Sequence, residues 1–319
     1  MTNLAAGENT PFKNQNSKID PKFAAYVFMV IIFCSVLFRL IIGGVAVSSG
    51  VDLADFLESS VAMIILYVLF AAAFFIISAQ LRLHGREIPH AVDLYVNKKV
   101  SMCNIGLVLL AACLVLVSFD LLIEGFAEIF GMSSTEMQIG GIPEYIMAVF
   151  VLCLLPAIVE ELLFRGFILK GLVPLGAAAA VIASAFLFTI FHMSPEQTLY
   201  QFILGVVLAV VVLRTGNLLY AMILHFLNNF LVLTAYTFFG VGAVGLSWNA
   251  VTVVTTCVLA VLGGLMIVGV CKALKRDEPR AETAKLARFF SFDNVGFFIA
   301  AALGICVWII ELLSRGGTF

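Results

Sequence analysis

The chain has 319 residues, 62% of hydrophobic type and only 12% charged, with 18 Lys and Arg against 20 Asp and Glu. A soluble globular chain is about 45–50% apolar and about 25% charged, so a water-soluble fold is excluded. The balanced charge offers no basic surface, which sets nucleic-acid binding aside.

In chain order, residues 1–22 hold Lys13, Lys18 and Lys22 and read as a polar cytoplasmic N-terminal tail. The tail lacks the short apolar core and small-residue cleavage site of a secretory signal, so the first apolar segment is expected to stay as a span. Apolar runs follow near 23–48, 57–80, 101–123, 143–164, 176–192, 197–213, 217–239, 249–271 and 294–313. In hydrocarbon every backbone N–H and C=O has to be satisfied within its own segment, and the alternation of a membrane barrel strand is absent, so each run predicts a helix. The expected fold is all-α, a polytopic integral membrane helical bundle of eight or nine transmembrane helices. Residues 23–313 read as a single transmembrane domain with a motif-bearing core at about 143–235. The count carries two values because 176–192 and 197–213 are short against the roughly 20 residues of a span, so tilted or re-entrant segments fit as well.

Most charges fall in the tail and in four stretches: 52–58, 81–100, 120–144 and 272–293. Basic residues gather in the tail, in 81–100 and in 272–293, and are missing from 49–58, 124–144 and 240–250. Because Lys and Arg are retained on the cytoplasmic side, this alternation predicts a cytoplasmic N-terminus, in the cell membrane, with Arg39 and Arg315 as exceptions. The seven cysteines form no CxxC pair and show no metal-ligand spacing, and read as small core- or lipid-facing residues.

The charges left inside apolar sequence point to function, and three patches stand out. Glu160-Glu161-Leu162-Leu163-Phe164-Arg165 follows Pro156 within one hydrophobic run. A charge at the bilayer centre costs at least ~2.5 kcal/mol, so three within six residues require partners or a polar cavity. Glu161 and Arg165 are i, i+4 and are expected to pair, whereas Glu160 lies about 100° around the helix and is the carboxylate left for chemistry. The second patch, Phe188-Thr189-Ile190-Phe191-His192, ends a short apolar helix before Met193-Ser194-Pro195. In the third, His225-Phe226-Leu227-Asn228-Asn229, His225 and Asn229 share a helical face with Asn228 beside them. Each patch alone also fits a bland role: snorkelling charges at a span end, an interfacial histidine, or interhelical hydrogen bonding. Together they supply a base to activate water and donors to stabilise an oxyanion, the parts needed for hydrolysis.

Glu160-Glu161-x-x-x-Arg165, Phe188-x-x-x-His192 and His225-x-x-x-Asn229, in this order on successive apolar helices, resemble the three motifs of the CAAX prenyl protease and bacteriocin-processing family. Its eukaryotic members include the type II CAAX prenyl endopeptidase. The surroundings Glu-Glu-Leu-Leu-Phe-Arg-Gly and Arg-Thr-Gly-Asn-Leu are similar too, and the resemblance covers about 143–235. It implies an intramembrane endopeptidase in which Glu160 activates water with help from His192, while His225 and Asn229 stabilise the tetrahedral oxyanion. Glu161 and Arg165 would then be supporting residues and Phe188 a packing residue. The implied partners are a peptide or protein substrate and the lipid bilayer; prenylated proteins, bacteriocins and peptide pheromones are all candidate substrates. No His-Glu-x-x-His is present, and Glu160, His192 and His225 come from separate helices, so a metal-free mechanism without cofactor is expected, with zinc as the alternative. A transporter would also carry intramembrane Glu, Arg and His, although the two-halves repeat of many transporters is absent. A non-catalytic immunity or scaffold protein could keep the same fold without turnover.

The expected spans contain one conflict. With a helix ending at 164, Glu160 lies close to the cytoplasmic end, whereas His192 lies about 24 Å along a helix starting there. Residues that share one water have to lie at one depth. Either 176–192 is steeply tilted, or 161–175 enters the membrane and the next helix starts deeper.

Overall fold

The computed structural model describes residues 20–50, 60–83, 141–195, 197–239 and 295–316, with isolated helical positions at 106, 254, 258, 261 and 265. All regular structure among the described residues is helical. Helix α1 spans Pro21–Ser49 and α2 spans Ser60–Leu83. A continuous helical segment, Ile142–Leu175, is α3. It is followed by α4 (Ala177–His192), α5 (Thr198–Thr215), α6 (Leu218–Phe239) and α7 (Val295–Gly316). Stretches of α1, α2, α3, α5 and α7 are long and apolar enough to cross a membrane; α4 and the Leu218–Thr234 part of α6 are shorter apolar helices. The expected spans 101–123 and 249–271 lie, isolated positions apart, outside the described residues. So do Cys103, Cys113, Cys257 and Cys271, whereas Cys34, Cys153 and Cys306 carry free thiols.

Polarity is inverted relative to a soluble protein. Phe33, Leu40, Phe75, Ile310 and Leu313 face outward, while Glu160, Glu161, Arg165 and His225 are buried. Outward apolar side chains gain nothing from water and are stable only against hydrocarbon, so the chain is an integral membrane protein.

Local chemistry sets the helix ends that position the buried charges. Asp20 caps α1, its carboxylate accepting the Phe23 N–H at 2.9 Å, and Pro21 follows at the first helical position, where its missing N–H costs nothing. α4 stops at Met193, which adopts φ 53° and donates its N–H to Ile190 O at 3.1 Å. Pro195, just beyond, cannot extend a helix. The Thr215-Gly216-Asn217 turn joins α5 to α6: Gly216 takes φ 66°, and the Asn217 side chain accepts the Leu219 N–H at 2.9 Å. Arg-Thr-Gly-Asn-Leu is thus the corner of a helical hairpin.

α3 is irregular where it matters. It is α-helical over Ile142–Ala148, π-helical over Val149–Leu154, α-helical over Leu155–Glu161 and π-helical again over Leu162–Leu169. It closes through Lys170–Leu172 and a 3₁₀ turn, Val173–Leu175. The first wide stretch ends beside Pro156, which cannot donate to the carbonyl four residues back.

The expected end of this span at 164 is corrected by the continuous helix: 161–175 is helical and Glu160 lies near the middle of α3. The correction removes the depth conflict. Glu160 Oε2 of α3 lies 3.9 Å from His192 Nε2 of α4, so the two residues stand at one level.

The neighbours pack around α3 in definite directions. α6 runs antiparallel to its first half, with Tyr145 and Thr234 hydroxyls 2.8 Å apart. α2 runs alongside in parallel, with Phe74 stacked on Phe167 at 5.1 Å between centroids. α4 and α5 approach closely at Gly205, where an added Cβ would lie 2.9 Å from Ala185 Cα.

Candidate active site

Glu160 and Glu161 leave α3 in different directions, and that divergence separates their chemistry. Glu161 Oε1 accepts from Arg165 Nη1 at 2.7 Å, the i, i+4 pair expected from the spacing, and lies 2.9 Å from His225 Nδ1 on α6. Arg165 Nη2 donates to Gly205 O of α5 at 3.2 Å. One carboxylate and one guanidinium therefore tie three helices together. All three side chains are almost wholly buried, so each charge has exchanged hydration for protein partners.

Glu160 faces α2 and α4 instead. Its Oε1 accepts from Tyr67 Oη at 2.9 Å. Its Oε2 is buried, takes no hydrogen bond from a described group, and lies 3.9 Å from His192 Nε2. The opposite imidazole nitrogen, His192 Nδ1, lies 2.8 Å from Phe188 O. A carbonyl only accepts, so this contact places the proton on Nδ1 and leaves Nε2 of the neutral ring as an acceptor directed at Glu160. The His192 side chain is 17% exposed, against 3% for Glu160 and 0% for Glu161, so the cluster opens on the His192 side.

Phe188 packs in the middle of the cluster. The Arg165 guanidinium lies over its ring at 4.4 Å. The His192 ring is 4.6 Å away, Phe164 is 5.0 Å away and His225 is 6.1 Å away, all edge-on. The i, i+4 relation of Phe188 to His192 thus joins residues of all three motifs through one aromatic ring.

Asn229 stands apart from this cluster in its hydrogen bonding. Its Nδ2 donates to Leu152 O at 3.1 Å, and its Oδ1 accepts from Asn228 Nδ2 at 3.1 Å. Asn228 Oδ1 accepts in turn from Tyr200 Oη at 2.5 Å. This chain links α5, α6 and α3 one helical turn from His225. The structure thus joins Glu160, Glu161, Arg165, His192 and His225 closely, and holds Asn229 beside them through the backbone of α3.

Sequence reasoning missed Tyr67 and Tyr200. Tyr67 sits in α2, outside the motif region, and its signal was a lone phenol in the apolar run 61–77. Among the described residues, no group of three or more His, Cys, Asp and Glu side chains is arranged to hold a metal ion. His225 directs Nδ1 at Glu161, and Glu160 and His192 are the two groups left facing each other.

Residues 142–231 match the family described as type II CAAX prenyl endopeptidase Rce1-like, and all three motifs lie within the match. No curated protein and no solved structure matches the chain.

Proposed function

We propose that this chain, with its Rce1-like segment at 142–231, is an intramembrane endopeptidase that hydrolyses a membrane-associated or peptide substrate in a polar cavity within the bilayer. The reading includes a single transmembrane domain at 23–313 with eight or nine spans, a cytoplasmic tail at 1–22, residence in the cell membrane and no metal cofactor.

The observation that carries it is the 3.9 Å gap between Glu160 Oε2 and His192 Nε2. Both atoms are acceptors, and the far side of each group is tied, to Tyr67 and to Phe188 O. A water about 2.8 Å from each would direct one hydrogen to either acceptor and turn its lone pairs outward. Glu160 takes one proton as the water oxygen attacks the scissile carbonyl carbon. The same proton passes to the amide nitrogen as the C–N bond breaks.

The developing oxyanion needs donors, and His225 and Asn229 are suited to supply them. With Nδ1–H on the Glu161 carboxylate, a protonated His225 ring would present Nε2–H as the second donor. Asn229 keeps its second amide hydrogen. Prenylated proteins, bacteriocins and peptide pheromones all stay candidate substrates, and a peptide ending in Cys-aliphatic-aliphatic-X with a prenylated cysteine is the first probe.

Full-length protein reconstituted in lipid should release the C-terminal tripeptide from such a fluorogenic peptide. Glu160→Gln should lower kcat by at least about 100-fold with the protein still inserted and folded. A chelator should leave the wild-type rate unchanged. Retained cleavage by the Gln variant would overturn Glu160 as base, and loss of a stoichiometric metal together with activity would overturn the metal-free mechanism. For a substrate of another kind, membrane proteomes of cells expressing wild type and the Gln variant should differ in cleaved products.

A further inference from the structure

Outside the segment that matches the family, α2 places a single polar side chain against Glu160. Tyr67 is 6% exposed and lies in a run of apolar residues, so its hydroxyl needs a buried partner. It donates to Glu160 Oε1 at 2.9 Å, across 93 residues of sequence. The ring is held as well: Tyr67 packs edge-on against Phe70 at 6.2 Å between centroids, and Phe70 packs against Phe191 at 5.3 Å. Phe191 meets the His192 ring at 5.2 Å. α2 therefore touches Glu160 directly through a hydroxyl and backs His192 indirectly, through Phe70 against Phe191 of α4.

A carboxylate rotates about its last torsion with little hindrance, and its two oxygens are otherwise equivalent. Fixing Oε1 removes that freedom and leaves Oε2 as the oxygen directed at His192. We propose that Tyr67 is a positioning residue for the hydrolytic base: it selects which oxygen of Glu160 takes the proton and holds it in line with the water. The segment 142–231 then lacks one part of its own site, and α2 supplies it. The inference rests on the reading of Glu160 as base.

The test uses the full chain in lipid, the fluorogenic prenylated peptide, and the variants Tyr67→Phe, Glu160→Gln and the double variant. Phe keeps the ring contacts and removes only the hydroxyl. Tyr67→Phe should lower kcat roughly 10- to 100-fold with KM within about twofold, as expected for a misaligned reacting group. It should cause no further loss in the Gln background, because Tyr67 acts only through Glu160. Tyr26→Phe, which removes an exposed hydroxyl bonded to Gln80 at 3.4 Å, is the control and should match wild type. Infrared difference spectra of wild type against Glu160→Gln assign the Glu160 carboxyl band, which should move in Tyr67→Phe whether or not the peptide is cleaved. An unchanged kcat in Tyr67→Phe, or the same fold loss in both backgrounds, would overturn the proposal. If Glu160→Gln cleaves normally the base reading falls instead, and if wild type leaves this peptide intact the choice of a prenylated substrate falls; in either case the infrared band tests the contact, and an unmoved band overturns the proposal.

Discussion

Asn229 of α6 donates its side-chain amide to the backbone carbonyl of Leu152 at 3.1 Å, and Leu152 O is the acceptor that a regular α-helix pairs with the N–H of residue 156, here a proline. The proline within α3 and the third motif of the site thus meet at one carbonyl. In an α-helical register Pro156 has no N–H to give that carbonyl, and the Asn229 amide occupies it. The contact fixes the register of α6 against the first half of α3, and with it the height at which His225 meets Glu161.

This relation predicts a specific non-additivity. Asn229→Ala should destabilise the protein by about 1–2 kcal/mol, the cost of a lost buried hydrogen bond with its acceptor left unpaired. Pro156→Ala restores a backbone donor, so the same Asn229→Ala change should cost measurably less in that background. Thermal unfolding of the four proteins in detergent reads the cycle. Activity separates the second role: if Asn229 also serves the oxyanion, its loss should depress kcat in both backgrounds alike. Equal stability costs in the two backgrounds would show that the amide does not replace the proline's missing N–H.

The glycines yield a second prediction, on packing. Gly205 faces Ala185 so closely that a Cβ would lie 2.9 Å from Ala185 Cα, and one on Gly171 would lie 2.8 Å from Ala24 Cβ and from Asp20 O. Gly166, directly after the first motif, would meet nothing nearer than Leu218 Cδ2 at 3.8 Å. Gly205→Ala and Gly171→Ala should each cost about 1–3 kcal/mol, since backbone atoms cannot yield as side-chain tips do. Gly166→Ala should unfold at the wild-type temperature within error. Gly205→Ala should also lower activity, because Gly205 O anchors Arg165 Nη2. A Gly166→Ala protein less stable than Gly205→Ala would refute the packing argument.

Much of this architecture was legible in the sequence because its physics is local. The helical character of the runs among the described residues follows from backbone hydrogen bonding in hydrocarbon, and the Glu161–Arg165 pair follows from i, i+4 spacing alone. The end of α3 was legible only as one of two alternatives, through the depth conflict. Arg165 and Lys170 look like the charged end of a span, but Arg165 is buried against Glu161 and Phe188, so the helix continues through it. Tyr67 stayed hidden for a different reason: its partner lies 93 residues away, and no periodicity within α2 encodes that contact. Asn229 was legible as a polar residue on the His225 face, whereas its tie to Leu152 depends on a proline in another helix.

The Glu161–Arg165–His225 group carries the last prediction, which concerns the cost of charge burial. Glu161 Oε1 takes both Arg165 Nη1, at 2.7 Å, and His225 Nδ1, at 2.9 Å, with no exposed atoms on the Glu161 or Arg165 side chains. Removing one charge from such a pair leaves the other uncompensated, at a cost of about 3–5 kcal/mol, whereas removing both together costs far less. Arg165→Met and Glu161→Gln should therefore each unfold at much lower temperature than wild type, and the double variant should recover most of that loss. Arg165→Lys should behave like a break, because one ammonium cannot serve both Glu161 Oε1 and Gly205 O in the way the forked guanidinium does. Catalysis should not recover with stability. In the double variant the neutral Gln still accepts from His225 Nδ1 but the carboxylate facing that ring is gone, so on the proposed oxyanion role of His225 kcat should stay low while the protein folds. A double variant as unstable as the worse single would mean that the pair's value lies in packing, and full recovery of kcat would remove Glu161 from the support of His225.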